Sequence, residues 1–211
     1  MIDAAIKHLR KVFDDSEVFK DHEKEKMYRI EHSLRVANLG RQIALQEGYN
    51  VENVVLACLL HDISYAYGIP EDRHIDHGRL SAQYARPFLK SLNLEKKRIE
   101  SICGAIAIHV DDEADFEFER TLETEVAGEA DNLDRFDVYR IYEILEWKQF
   151  SSLDSLEKKK LVLETIERLT RYLEIPFTSS TAQNLWKDRI QFQLQFYLRL
   201  LNQIEHSTEI K

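Results

Sequence analysis

Five stretches of this chain put an imidazole or a carboxylate where helical spacing otherwise puts apolar residues. The run VENVVLACLLHD ends in His61 and Asp62, and Val51, Val54, Val55 and Cys58 recur at helical spacing and continue to Asp62. His61 lies about 100° round the same helix, in line with Ala57 and Val54, which are also apolar. A charge on an inward face is costly unless it is paired or holds a metal. Taken alone, the pair reads more readily as a C-terminal cap, with His61 at the negative end of the helix dipole. His32 shares a face with Val36, Leu39 and Ile43, and Arg35 stands one turn along. His77 joins a stripe of Leu80, Ser81, Tyr84 and Phe88, while His109 aligns with Ile99, Ile102 and Ile106. In AGEADNLDRFDVYRIYEILEW, Asp131 lies close to one face with Ala127, Asp134, Arg135 and Val138. A satisfied core histidine or a helix cap explains any one of these. Together, each would need its own buried partner, whereas one shared divalent metal satisfies them all. Neutral imidazole and carboxylate are ligands that borderline metals accept.

The elements that must position these groups are helices. With six Gly and three Pro in 211 residues, few turns are signalled, which favours long helices over many strands. A short amphipathic helix is expected over residues 2–13, followed by a polar connection, DDSEVFKDHEKEK. A long helix follows from Met27 to about Gln46, stopped by Glu47-Gly48. Asn50 is the expected N-cap of the helix leading to His61-Asp62. Ser64 to Arg73 reads as a loop, with helices after it from about Asp76 to Lys90, distorted at Pro87, and from about Leu94 to His109. His74, one turn before His77, competes with it for any role. Beyond the acidic loop DDEADFEFE, the segment 121–147 is expected to be helical and buried in its second half. Two further amphipathic helices run over 156–173 and from TSSTAQ to about Glu205, the last lined by Leu185, Ile190, Leu194, Tyr197, Leu201 and Ile204. Trp186, Phe192, Phe196 and Tyr197 round its sides could pack on the domain or form a homodimer seam, core packing being the more usual use. The expectation is one all-α domain over 1–211, its core at about 27–145 and extra C-terminal helices at about 150–206 packed on it.

Composition narrows the function classes. The net charge of −9 argues against general nucleic-acid binding, so an anionic ligand would need a metal or a local Arg cluster. Cys58 and Cys103 sit inside apolar helical patterns and read as small core residues of a reducing compartment. The N-terminal MIDAAIKHLRKVF is amphipathic, and neither a secretory leader nor a membrane span is expected; the expected location is the cytoplasm.

His32 in EHSLRVANLGRQIA, His61-Asp62 in LACLLHDIS and Asp131 in GEADNLDRFD follow one another in an order that resembles the HD-domain superfamily of metal-dependent phosphohydrolases. With ICGAIAIHV and EADNLDRFDVYRI, the wording is similar to the small stand-alone HD hydrolases of bacteria, over about 27–145. The resemblance implies an HD-type helical bundle with one metal held by His32, His61, Asp62 and Asp131. Some members carry a second, which here would use Asp62 as a bridge with His77 and His109. The metal would be Mn, Fe, Ni or Co, with Mg as a further candidate, one or two ions per chain. It implies hydrolysis of a phosphate ester or anhydride of a small molecule, a nucleotide foremost, by metal-activated water. Asp62, His109 and Arg35 are the candidate catalytic groups, and Arg35, Arg135 and His77 the candidate substrate contacts, although for both arginines a surface salt bridge competes. Arg73 and Arg79 are weaker candidates, and Asp134 could orient a ligand from behind. A di-iron oxygenase of the same fold would use the same six ligands, and a non-catalytic metal-binding signalling module is the third reading.

Overall fold

The computed structural model describes residues 1–207, Glu71 and Asp72 by their backbone alone; residues 208–211 of the expected domain lie outside the described residues. It is all-α, with no strand among the described residues, and divides into two compact units, residues 1–134 and residues from 135 onward.

The first unit holds α1 (Ile2–Asp14), α2 (Glu23–Glu47), α3 (Val51–Leu60), α4 (His77–Ser91), α5 (Lys96–Ile108) and α6 (Leu122–Arg135), whose last residue opens the second unit. Helix α2 begins four residues earlier than the apolar pattern implied. Glu and Lys are good helix formers, and Lys26 pairs with Glu23 at 2.8 Å and Asp14 at 3.2 Å, so polar residues carry the first turn. Gly48 ends α2 in the left-handed conformation, φ 76°, its N–H donating to the Ala44 carbonyl. Asn50 caps α3 by accepting from the Asn53 N–H at 3.1 Å. Helix α3 is buried from Val54 to Leu60 and packs along α2, α5 and α1, which makes it the central helix of this unit.

Gly40 sets the distance between α2 and α3. A Cβ there would overlap the Cys58 sulfur and sit 3.1 Å from the Val54 side chain. Gly40→Ala is therefore expected to lower unfolding stability by about 1–3 kcal/mol, the usual cost of overpacking, despite Ala's better helix propensity. Urea unfolding of the two proteins checks this, and an unchanged or raised midpoint would contradict it.

After α3 the chain forms two short 3-10 helices, Ile63–Tyr67 and Glu71–Asp76, in place of the expected open loop. Helix α4 runs through Pro87 to Ser91. Helix α5 packs on α4 and α3, and the acidic stretch after it has no helix until α6.

The second unit holds α7 (Val138–Trp147), a 3-10 turn at Phe150–Ser152, α8 (Ser155–Tyr172) and α9 (Ser180–His206). Asp154 and Glu157 form a capping box on α8, and Ser179 caps α9. The expected burial of the segment's second half is not found: in α7 only Ile141 is buried, while Tyr142 and Trp147 are 62% and 76% exposed. Apolar residues surround this short helix, but one face meets a partner, and Tyr and Trp carry polar atoms suited to water. The seam of α9 keeps Ile190, Tyr197 and Ile204 of the expected stripe but turns from its leucines toward Trp186 and Gln193. Trp186, Ile190, Gln193 and Tyr197 are buried, whereas Leu185, Leu194 and Leu201 are half-buried and Phe192 is exposed. The polar atoms of two of these are matched by hydrogen bonds, from Trp186 Nε1 to the Tyr172 carbonyl and from Gln193 Nε2 to the Phe136 carbonyl, both 2.6 Å.

Candidate metal centre

Five helices of the first unit bring six of the expected side chains to one point. His32 comes from the middle of α2, His61 and Asp62 from the end of α3, His77 from the start of α4, His109 from the end of α5 and Asp131 from α6. Ligand atoms of His32, His61 and Asp62, of His61, His109 and Asp131, and of Asp62, His77 and His109 each fall within 4.8 Å of one another.

Asp62 stands between two halves of the cluster. Its Oδ2 lies 3.6 Å from His61 Nε2 and 3.8 Å from His32 Nε2; its Oδ1 lies 3.4 Å from His77 Nε2 and 3.7 Å from His109 Nε2. Asp131 Oδ1 is 3.1 Å from His32 Nε2 and 3.8 Å from His61 Nε2. His74, the competitor of His77, is exposed, and its carbonyl serves His77.

Helix ends decide the ring tautomers. His61 caps α3, His77 caps the turn before α4, and His109 caps α5. Each donates its Nδ1–H to the carbonyl three residues back: Cys58 at 2.7 Å, His74 at 2.6 Å and Ile106 at 2.6 Å. A carbonyl only accepts, so Nδ1 carries the proton and the Nε2 lone pair of each neutral ring points at the cluster. The cap reading of His61 and the ligand reading are thus one arrangement. His32, inside α2, uses Asp134 instead: Nδ1 and Asp134 Oδ2 are 2.7 Å apart. Arg35, expected at the substrate, donates to both oxygens of Asp134, from Nε at 2.8 Å and Nη2 at 3.1 Å. Arg135 is the last residue of α6, one turn beyond Asp131.

This donor set fits a divalent cation. His32 Nε2 and His61 Nε2 are 3.3 Å apart, and two lone pairs at that distance repel unless a proton or a metal lies between them. His109 Nε2 is buried with no hydrogen-bond partner among the described residues. Two buried carboxylates with four imidazoles, each fixed from behind by a hydrogen bond, match the ligand and supporting shells of borderline metal sites.

The same geometry sets the charges of the chelated protein. Burial opposes a proton on His32, but hydrogen bonds with Asp131 and Asp134 outweigh it and push its pKa to about 9. Burial lowers His61 to about 4 and pulls His77 down as well, whereas at His109 burial is outweighed by Asp62 and the pKa is raised. Against its own burial, Asp131 is held at about 2 by His32 and His61, and Asp62 lies well below the carboxylate range beside His61, His109 and Arg29. A raised histidine pKa stabilises the fold fully below the unfolded value of about 6.5, and the contribution is lost as pH rises through about 9. Chelated protein is therefore expected to melt at lower temperature at pH 9 than at pH 6.5, with the slope reduced in His32→Asn. Cation affinity should rise over the same window, because the ion displaces the His32 proton. Thermal melts and metal titrations across pH check both; a flat or rising melting temperature would contradict the assignment.

Three contributors, Arg29, Tyr65 and Tyr28, were not read from the sequence. Arg29 donates from Nη1 to Asp62 Oδ2 at 3.0 Å, and its guanidinium lies 3.5 Å from the centre of the Tyr65 ring. Tyr28 lies parallel to the His32 ring at 6.0 Å. Arg29 is one turn before His32, a spacing masked by the charged run around residue 25, and Tyr65 is three residues after Asp62, in the stretch read as a loop.

Comparison with known proteins follows the same residues. The family model of the HD domain matches residues 29–136, just over half of the chain and all six clustered side chains. In the solved structures, the fold is similar to the crystal structure of a predicted HD superfamily hydrolase from an uncultured Thermotogales bacterium. The TM-score is 0.65 at 21% identity, over 93% of this chain and 91% of that one. No curated protein matches.

Proposed function

Because the chain belongs to the HD-domain family, we propose that it is a metal-dependent phosphohydrolase acting on a small phosphorylated molecule. The observation that carries this is the convergence of four Nε2 lone pairs on the two oxygens of Asp62, with Asp131 beside them. We assign His32, His61, Asp62 and Asp131 to one ion, and Asp62, His77 and His109 to a second. A divalent cation held there would supply a water of lowered pKa and positive charge beside a phosphoryl oxygen.

The chain's own groups do the rest. Helix-end hydrogen bonds fix His61, His77 and His109 so that no ring need turn as the reaction proceeds. Arg29 is about a quarter exposed at the edge of the cluster and is the cation best placed for a substrate phosphate, with Tyr28 and Tyr65 offering aromatic faces beside it. A cation for phosphate set beside aromatic rings is what supports the nucleotide preference. Arg35 acts through Asp134 and His32 in this reading, and Arg135 remains a candidate substrate contact on its helical spacing alone.

Chelated protein reloaded with Mn²⁺, Fe²⁺, Co²⁺, Ni²⁺ or Mg²⁺ is expected to release phosphate from a panel of nucleotides and simple phosphate esters. No release with any of these ions would overturn the reading. Oxygen consumption with two irons per chain and no phosphate release would favour the oxygenase, whose ligand set is the same. No helix among the described residues is long and apolar enough to cross a membrane, and we propose a cytoplasmic setting.

A further inference from the structure

We propose that Arg79 is the positioning residue that holds His77 and His109 together, and so decides whether Asp62 serves one ion or two. The inference rests on the two-ion reading given above.

Arg79 contacts no ligand atom of the cluster. Its side chain is only 12% exposed and is shared between the two segments that carry the histidines. Nη2 donates to Asp76 Oδ1 at 2.5 Å, and Asp76 is the residue before His77. Nη1 donates to both oxygens of Asp111, at 2.9 and 2.8 Å, two residues after His109. The guanidinium fork thus spans the start of α4 and the end of α5, a task for which one ammonium is a poor substitute.

Glycine lets the two segments meet. At Gly78, between His77 and Arg79, a Cβ would lie 2.5 Å from the Ala107 carbonyl and 3.2 Å from His109 Nδ1. With that space open, the His77 and His109 rings stand 5.0 Å apart, edge to face, with both Nε2 atoms toward Asp62 Oδ1. On its other side His77 is tied toward Asp62 by Ser64, whose hydroxyl donates to the His77 carbonyl at 3.1 Å. The link between His77 and His109 has Arg79 as its charged staple.

Charge makes the staple more than a surface pair. Glu113 and Asp115 lie 3.6 and 3.7 Å from the same guanidinium, so Arg79 faces four carboxylates. Without it, Asp76 keeps only Arg73, at 2.8 Å on its own segment, and no described residue joins it to Asp111 across the gap that keeps His77 beside His109. His32, His61 and Asp131 come from other elements and do not depend on this contact.

The test is metal counting by calorimetric titration of chelated full-length protein with Mn²⁺, supported by elemental analysis. The parent is expected to bind two ions. In Arg79→Lys and Arg79→Ala, one ion should keep its affinity while the other weakens by about 10- to 100-fold, as when a supporting partner of a ligand is lost. Asp111→Asn preserves the shape and should give the same split, which covers the case in which the Ala variant does not fold. Two ions with unchanged affinities in the variants would overturn the proposal, as would equal weakening of both ions. A single ion in the parent would instead remove the two-ion reading, and this assignment with it.

Discussion

Asp62→Asn is expected to abolish phosphate release and to leave the protein unable to hold its full complement of metal. Loss of a group that merely supports a metal ligand lowers affinity or activity by about 10- to 100-fold, so loss of the carboxylate facing both halves of the centre should exceed that range. The amide keeps the volume and one acceptor oxygen but removes the charge that four Nε2 atoms and Arg29 surround. Because the fold holds this carboxylate ionised well below the ordinary range, the chelated variant should also melt below the chelated parent at neutral pH. Phosphate release, elemental analysis and melts with and without cation check the three parts. Parent-like turnover and metal content in the variant would remove Asp62 from the centre of the account.

Asp134→Ala has the next largest expected effect, although Asp134 faces away from the cluster. It accepts a hydrogen bond from His32 Nδ1–H at 2.7 Å and holds Arg35 through both oxygens. Without it, the His32 ring loses its fixed tautomer, and cation affinity should fall by about 10- to 100-fold. Arg35→Ala should produce a smaller loss of the same kind, and the double variant should be no worse than Asp134→Ala alone, since the two act in series. An Arg35→Ala variant with unchanged metal affinity and a raised KM would place Arg35 at the substrate instead. Titrations and steady-state kinetics on the three variants separate the cases.

The side chains of the cluster were legible because each broke an apolar helical pattern at a position facing inward. His32 beside Val36 and Ile43, and His109 beside Ile102 and Ile106, needed only the 3.6-residue period. That His61 caps its helix was also legible; the structure adds that a capping histidine turns its Nε2 the other way, so capping and ligation are not alternatives. The start of α2 was missed because charged residues hold it by propensity and ion pairs, which leave no apolar period. Arg29 was lost in the same run. Burial of α7 was overestimated because periodicity shows which residues are apolar, not how many partners arrive to cover them. The turned seam of α9 has a similar origin: Gln193 looks polar in sequence, yet its amide finds the Phe136 carbonyl and goes inside. Contacts such as Arg79 with Asp76 and Asp111 span up to 32 residues and depend on how α4 meets α5, which spacing along one helix does not encode.

The most direct test is anomalous scattering at the absorption edge of Mn, measured on crystals of protein that has been chelated and reloaded. The account predicts one ion bounded by Nε2 of His32 and His61 with Asp62 Oδ2 and Asp131 Oδ1, and a second at Asp62 Oδ1 with Nε2 of His77 and His109. No anomalous signal within the cluster, or an ion bound only elsewhere on the chain, would contradict it.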